Sequence, residues 1–186
     1  DLEGASFAGL YETVLDVPPS AIHDAVRTCF VSSLDARVLL YKREMGMTVL
    51  APSIAVVVQE QIAAVAAGVA FSLNPINNDF DECVINASWG LGEALVSGNV
   101  TPDTFVVDKV TGKEIERRIG DKGGERSEQP SLSADQITEV ASVVAEIERT
   151  FGTPIDVEWA FSSAGLSILP ARPITTYVPL ASSCLL

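Results

Sequence analysis

The chain has 186 residues, with 25 Asp and Glu residues against 12 Lys and Arg residues, which gives a formal net charge of −13. A hydrophobic fraction of 47% is enough for a buried core and excludes a disordered chain. The acidic balance excludes nucleic acid and membrane as expected partners. Three widely separated cysteines indicate neither a disulfide framework nor a zinc site, so we expect a reduced, cytoplasmic protein.

The first part of the chain carries two helical patterns. Residues 22–30 have apolar side chains at i, i+3, i+4, i+7 and i+8, and Ser20 is the expected N-cap. A second helical run is predicted from about residue 33 to 44. His23 is the only histidine and lies off the apolar stripe, so we expect a surface residue without a catalytic role.

Short segments rich in β-branched residues follow and predict strands. They are residues 53–59, 68–72, 82–86, 103–108 and 113–117, of which the last two flank Thr111-Gly112 and form a hairpin. Residues 120–131 are rich in Gly, Ser and charge, and predict a mobile loop.

The clearest helix is predicted over residues 134–150. Ser133 and Gln136 form a capping box at its start, and the residues from Gly152 to Pro154 end it. An alternating strand over 155–161 and a partner strand from 166 to 172 complete the pattern. The sequence therefore predicts an α+β fold with antiparallel hairpins and packed helices.

The strongest local signal for chemistry is Asp156-Val-Glu158. In a strand these two carboxylates share one face, about 6.5–7 Å apart, and such a pair suits Mg²⁺ and its phosphate ligands. Arg172 on the next predicted strand has the right chemistry to contact phosphate. The alternative is an ordinary solvated strand face, which the spacing alone does not exclude.

Two weaker signals accompany this pair. The run from Ser88 to Glu93 has the sequence SWGLGE, in which glycines after a strand bring backbone N–H groups close to a phosphate or simply form a tight turn. Gln59 and Glu60 end an apolar segment and either contact an adenine edge or face water. From the residues alone we reach an α+β domain with a candidate Mg-nucleotide cleft.

Several stretches, taken in order, resemble the nucleotide-binding region of the phosphoenolpyruvate synthase and pyruvate phosphate dikinase family, which includes rifampicin phosphotransferases. They are ASFAG at 5–9, ETVL at 12–15, VVVQE at 56–60, GVAF at 68–71, INASWGLGEALVSG at 85–98, TPDTFVVDK at 101–109, PIDVEWA at 154–160 and ARPIT at 171–175. The resemblance covers residues 1–176, and together these motifs are highly specific.

The resemblance implies an ATP-grasp-like fold, represented here in part by its C-terminal lobe and some of its central region. Residues 1–176 would form the partial ATP-binding domain, without its upstream lobe, and 177–186 a tail. The implied ligands are ATP and Mg²⁺. The positions that match the family's site are Gly9 and Thr13 near the phosphates, Gln59 and Glu60 near adenine, Asp156 and Glu158 at metal and nucleotide, and Arg172 at phosphate.

The sequence departs from the family's pattern in its last strand. Pro170 stands where the family has a glutamine that helps to hold metal or nucleotide, and the loop over 120–131 looks shortened. The swivelling phosphohistidine domain and the phosphoenolpyruvate/pyruvate domain are expected outside this chain. Because the phosphocarrier histidine is then absent, we expect the isolated chain to be inactive.

Three functions are consistent with these features. The first is the ATP-binding part of a phosphoenolpyruvate synthase-like dikinase, which positions Mg-ATP for phosphoryl transfer to a histidine on a separate domain and then to pyruvate. The second is the same part of a rifampicin-type antibiotic phosphotransferase. The third is a degenerate nucleotide- or protein-binding module without catalysis, which Pro170 and the short loop favour and the intact acidic pair opposes.

Overall fold

A computed structural model describes residues 10–49, 54–91, 100–122 and 126–174. The chain divides into two compact units, Asp1–Gln61 and Ile62–Leu186. Gly9, the last two residues of the glycine-rich run (Gly92 and Glu93) and the predicted tail at 177–186 lie outside the described residues.

The first unit contains two helices, α1 (Ile22–Ser32) and α2 (Ala36–Glu44), in its described part. Both predicted helices are confirmed, but the predicted cap of α1 is wrong. Ser20 lies within a 3₁₀ turn, and no side chain caps α1. Helix α2 begins later than predicted because Asp35 accepts a hydrogen bond from the backbone N–H of Arg37 and so fixes the N-terminus.

The strand predicted over residues 53–59 is wrong within its described part, 54–59, which has no regular structure. Val57 is 78% and Val58 60% exposed. A β-branched run has the propensity for a strand, but a strand forms only where a neighbour accepts its backbone hydrogen bonds. In the described part of the chain no strand pairs with these residues.

The second unit is built on an antiparallel sheet of six strands in its described part. The strands are β1 (Ala66–Phe71), β2 (Glu82–Trp89), β3 (Asp103–Asp108), β4 (Glu114–Arg118), β5 (Ile155–Ser162) and β6 (Gly165–Pro173). Their order across the sheet is β4-β3-β2-β1-β5-β6, so β1 lies between β2 and β5. The α+β prediction and the remaining predicted strands are confirmed.

Helix α3 (Ala134–Phe151) packs on one face of this sheet, which we call the helix face. Its N-terminus has the predicted capping box between Ser133 and Gln136, and Gly152 ends it in a left-handed conformation. The core between helix and sheet includes Trp159 and Phe105, both fully buried. Each large apolar side chain buried there contributes about 1.5–3 kcal/mol, so this layer stabilises the second unit.

Cys83 belongs to the same core and has no exposed surface. Burial raises the pKa of its thiol to about 12, because the thiolate would lose its hydration. The thiol therefore stays protonated and acts as a small apolar group. In the described part of the chain, no helix is long and apolar enough to cross a membrane.

The loop over 120–131 has neither helix nor strand in its described part, as predicted, yet it is anchored to the sheet. Lys122 is only 7% exposed, and its ammonium group donates to the Asp103 carboxylate at 2.5 Å. The backbone N–H and hydroxyl of Ser131 each donate to the other oxygen of Asp103 at 2.7 Å. The loop is thus folded around one buried carboxylate at the start of β3.

Candidate functional site

The two carboxylates predicted to share a face of β5 do so. Ile155, Val157 and Trp159 of this strand are buried on the helix face, so the alternation places Asp156 and Glu158 on the opposite face, which we call the second face. Both acidic residues are half-buried. Because alternate residues of β5 are packed in the core, the strand holds the Asp156 and Glu158 side chains in position on the second face.

Arg172 lies on β6 directly opposite Asp156 in the strand register. Its guanidinium donates to a carboxylate oxygen of Glu158 at 2.8 Å, with side-chain exposures of 46% for the arginine and 40% for the glutamate. An ion pair this exposed contributes little to stability, about 0–1 kcal/mol. These three predicted residues therefore form one polar cluster that water reaches, and both partners of the pair are free to exchange it for a ligand.

Pro170 lies beside this cluster, at an irregularity between β5 and β6. The register with β6 shifts between Val157 and Trp159, so Glu158 has no regular partner on β6. Proline has no N–H for the ladder and is confined to edge strands and bulges. The position that the resemblance assigns to a glutamine is therefore next to Glu158, exposed, and unable to donate a hydrogen bond.

Two carboxylates on one strand face are oxygen donors of the kind that Mg²⁺ takes. The described residues include no group of three or more His, Cys, Asp or Glu side chains placed to hold a metal ion. Magnesium bound through one or two carboxylates completes its octahedron with water and substrate phosphates. The donor chemistry of Asp156 and Glu158 fits such a shared site.

The other described site residues belong to the first unit. Thr13, Gln59 and Glu60 are exposed and lie outside helices and strands. Next to them, Gln61 and Asp16 exchange two hydrogen bonds of 2.8 and 2.9 Å, which join the segments before α1 and after residue 53. His23 is exposed on α1, as predicted.

One polar pair on the second face escaped the sequence analysis. Asn86 of β2 and Thr104 of β3 are opposite each other in the register, and the Thr104 hydroxyl donates to the Asn86 side-chain oxygen at 2.9 Å. The signal available was the polar Asn86 between the apolar residues Ile85 and Ala87 of β2. Its meaning depends on the strand order, which brings β2 within one strand of β5.

Residues 1–179 match the family described as "Pyruvate phosphate dikinase, AMP/ATP-binding domain". The chain belongs to this family. The second unit therefore represents part of an ATP-binding domain.

Over the aligned residues, several curated relatives are 35–41% identical to this chain. A probable phosphoenolpyruvate synthase of Methanocaldococcus jannaschii is 39% identical over 95% of the chain and 16% of its own length. The phosphoenolpyruvate synthase of Pyrococcus furiosus is 39% identical over 95% of the chain and 25% of its own length. A rifampicin phosphotransferase of Streptomyces sviceus is 35% identical over 98% of the chain and 23% of its own length. The chain thus spans a quarter or less of these relatives.

Proposed function

We propose that this chain is the ATP-binding part of a cytoplasmic, phosphoenolpyruvate synthase-like dikinase with an ATP-grasp-like domain over residues 1–176. It would position Mg-ATP for phosphoryl transfer to a histidine on a swivelling domain outside this chain, and from there to pyruvate. The observation that carries the proposal is the cluster of Asp156, Glu158 and Arg172 on the second face, at positions that match the family's site. Without the phosphocarrier histidine, the isolated chain would not turn over.

In this proposal Asp156 and Glu158 hold Mg²⁺, which when bound neutralises charge on the nucleotide phosphates. Arg172 now pairs with Glu158 at 2.8 Å. A nucleotide phosphate would compete for the guanidinium, whose planar fork binds two phosphate oxygens at once. Arg172 would therefore exchange a weak, half-exposed ion pair for a stronger contact and free Glu158 for the metal.

We assign Gly9 and Thr13 to the phosphate side of the nucleotide and Gln59 and Glu60 to adenine. Thr13, Gln59 and Glu60 are exposed and have no regular structure around them, so their polar groups are available to a ligand.

Two other functions have specific support. The 35% identity to a rifampicin phosphotransferase supports, as an alternative to pyruvate, an antibiotic hydroxyl as the final acceptor. Pro170 favours a degenerate module that binds nucleotide weakly or binds only protein, since the side chain beside Glu158 donates no hydrogen bond.

Replacement of Glu158 by Gln tests the proposal, because this change keeps the size of the side chain and removes its charge. We expect the affinity for Mg-ATP to fall by roughly ten- to a hundred-fold, the value of one hydrogen bond or ligand contact to a charged group. Isothermal titration with millimolar ATP, in the presence of Mg²⁺ and again with a chelator, measures the difference. Without Mg²⁺ the variant and the wild type should bind ATP alike.

Glu116→Gln is the matched control. Glu116 forms the same kind of ion pair with Arg118, also at 2.8 Å, but on β4, four strands and about 19 Å from β5. This variant should bind Mg-ATP like the wild type. If Glu158→Gln binds as tightly as the wild type, or if both variants lose affinity equally, the acidic pair does not hold the metal-nucleotide complex and the proposal fails.

Pro170→Gln should strengthen the binding of Mg-ATP by several-fold up to about tenfold, because it adds a side-chain amide beside Glu158 and restores one backbone N–H. The wild-type chain itself should bind weakly, at about the millimolar level. Nucleotide-dependent shifts in melting temperature compare the two, with Pro173→Gln as the same change at the exposed end of β6. Micromolar binding by the wild type, unchanged in Pro170→Gln, would show that residue 170 is not a ligand position.

A further inference from the structure

A line of paired residues crosses the second face of the sheet from β3 to β5. Thr104 pairs with Asn86, Asn86 with Val69 of β1, and Val69 with Glu158. With strands spaced about 4.8 Å apart, the backbone of Asn86 lies about 10 Å from that of Glu158. Only the apolar Val69 lies between them. The second face therefore carries two polar side chains, those of Asn86 and Glu158, separated by one small apolar side chain.

The Asn86 side chain is held in one orientation. The hydroxyl of Thr104 donates to its amide oxygen at 2.9 Å, which directs the amide nitrogen to the other side. Within the described residues no group accepts a hydrogen bond from this nitrogen, and it is not among the buried atoms. Asparagine is disfavoured in strands. Asn86 nevertheless lies in a central strand, and the two N–H groups of its side-chain amide make no hydrogen bond within the described residues.

We propose that the amide of Asn86 binds a phosphate group of the nucleotide, and that Thr104 is the positioning residue that orients it. This inference rests on the proposed function: the phosphate chain would extend from the metal held by Asp156 and Glu158, over Val69, to the two N–H donors of Asn86. Neutral N–H donors can bind a phosphate oxygen at this position, because the metal and Arg172 already offset part of the phosphate charge.

Two variants test the assignment in the full 186-residue chain. Asn86→Leu keeps the approximate size of the side chain and removes both donors, and should weaken Mg-ATP binding by about tenfold or more. Thr104→Val keeps its shape and releases the amide, and should weaken binding by about three- to tenfold. Thr138→Val, the same change on the exposed side of α3, should have no effect.

Titration with both Mg-ATP and Mg-tripolyphosphate distinguishes the contact. A phosphate contact predicts the same fold-loss for the two ligands, with melting temperatures of the unliganded variants close to that of the wild type. A loss for Mg-ATP alone would place the contact at the nucleoside and overturn the assignment.

The result for Glu158→Gln separates this inference from the proposed function. If Glu158→Gln loses affinity while Asn86→Leu binds like the wild type, the inference is wrong and the proposed function stands. If neither the wild type nor any variant binds Mg-ATP or Mg-tripolyphosphate at millimolar concentration, the proposed function fails and this inference fails with it.

Discussion

Asp103→Ala should lower the free energy of unfolding by about 3–5 kcal/mol, the usual cost of removing one partner from a buried ion pair. Neither side chain of the Asp103–Lys122 pair has any exposed surface. The substitution would leave the Lys122 ammonium buried without an anion, and would also deprive two backbone N–H groups, those of Gly120 and Ser131, of their acceptor. Since whole domains are stable by only about 5–15 kcal/mol, the loss is a large fraction of the total.

Urea unfolding of the variant measures this loss, and Asp108→Ala is its control. Asp108 lies at the other end of β3, where its carboxylate accepts from the backbone and hydroxyl of Thr111 within reach of water. Water can replace that carboxylate, so the control should lose much less stability. A free energy of unfolding within 1 kcal/mol of the wild type for Asp103→Ala would contradict the buried-pair explanation.

The orphaned charge itself can be isolated by a double-mutant cycle. Adding Lys122→Met to Asp103→Ala removes the unpaired ammonium group, so the double variant should be more stable than Asp103→Ala alone. It should not reach the wild type, because the hydroxyl and N–H of Ser131 still lack their acceptor. If the effects of the two substitutions on the free energy of unfolding are additive, the ammonium and carboxylate groups have no interaction energy and the explanation is wrong.

The elements that the sequence predicted correctly are those whose signals are local. Helix α3 has a capping box, an apolar stripe and a terminal glycine within 20 residues, and β5 alternates from Ile155 to Trp159. The segment over 54–59 has equally strong β-propensity, but its pairing depends on residues elsewhere in the chain. Its failure as a strand shows that propensity identifies a possible strand, and that only a partner makes it one.

The candidate site divides in the same way. Asp156 and Glu158 could be predicted to share a face because that relation follows from a period of two within one strand. The pairing of Asn86 with Thr104, 18 residues away, and that of Lys122 with Asp103, 19 residues away, depend on register and loop path. No composition or spacing rule within one segment contains that information. The roles proposed for the predicted residues rest on the family resemblance, whereas the role proposed for Asn86 rests on the strand order.

The helix face of the sheet packs in the core and the second face carries the proposed site, and β1 contributes to both. It lies between β2, which carries Asn86, and β5, which carries Glu158. On its helix face the residues are small: Ala66, Gly68 and Ala70 are all buried. Small side chains there leave room for the Trp159 ring of the neighbouring strand. We therefore expect the packing of this core layer to affect the spacing of the polar groups on the second face.

Gly68→Ala should therefore lower the free energy of unfolding by about 3 kcal/mol or more, at the upper end for overpacked cores. A methyl group on residue 68 would lie 1.9 Å from the backbone oxygen of Asn86 and 2.7 Å from the Trp159 ring. The backbone of a paired strand cannot rotate away as a side chain can, so β1 must shift relative to β2. Adding Trp159→Phe should recover only part of the loss, because the contact with the Asn86 oxygen remains.

Gly112→Ala calibrates the effect, and urea unfolding measures both variants. A methyl group on Gly112 meets no atom within 4 Å, so its cost is the left-handed strain at φ +68°, about 1–2 kcal/mol. If Gly68→Ala costs no more than this control, β1 accommodates a side chain without moving. In that case the Asn86-to-Glu158 spacing is not set by the packing of Gly68. If the prediction holds, the folded Gly68→Ala variant should also bind Mg-ATP more weakly than the wild type, when binding is measured at urea concentrations too low to unfold the variant. Gly112→Ala should bind Mg-ATP like the wild type under the same conditions.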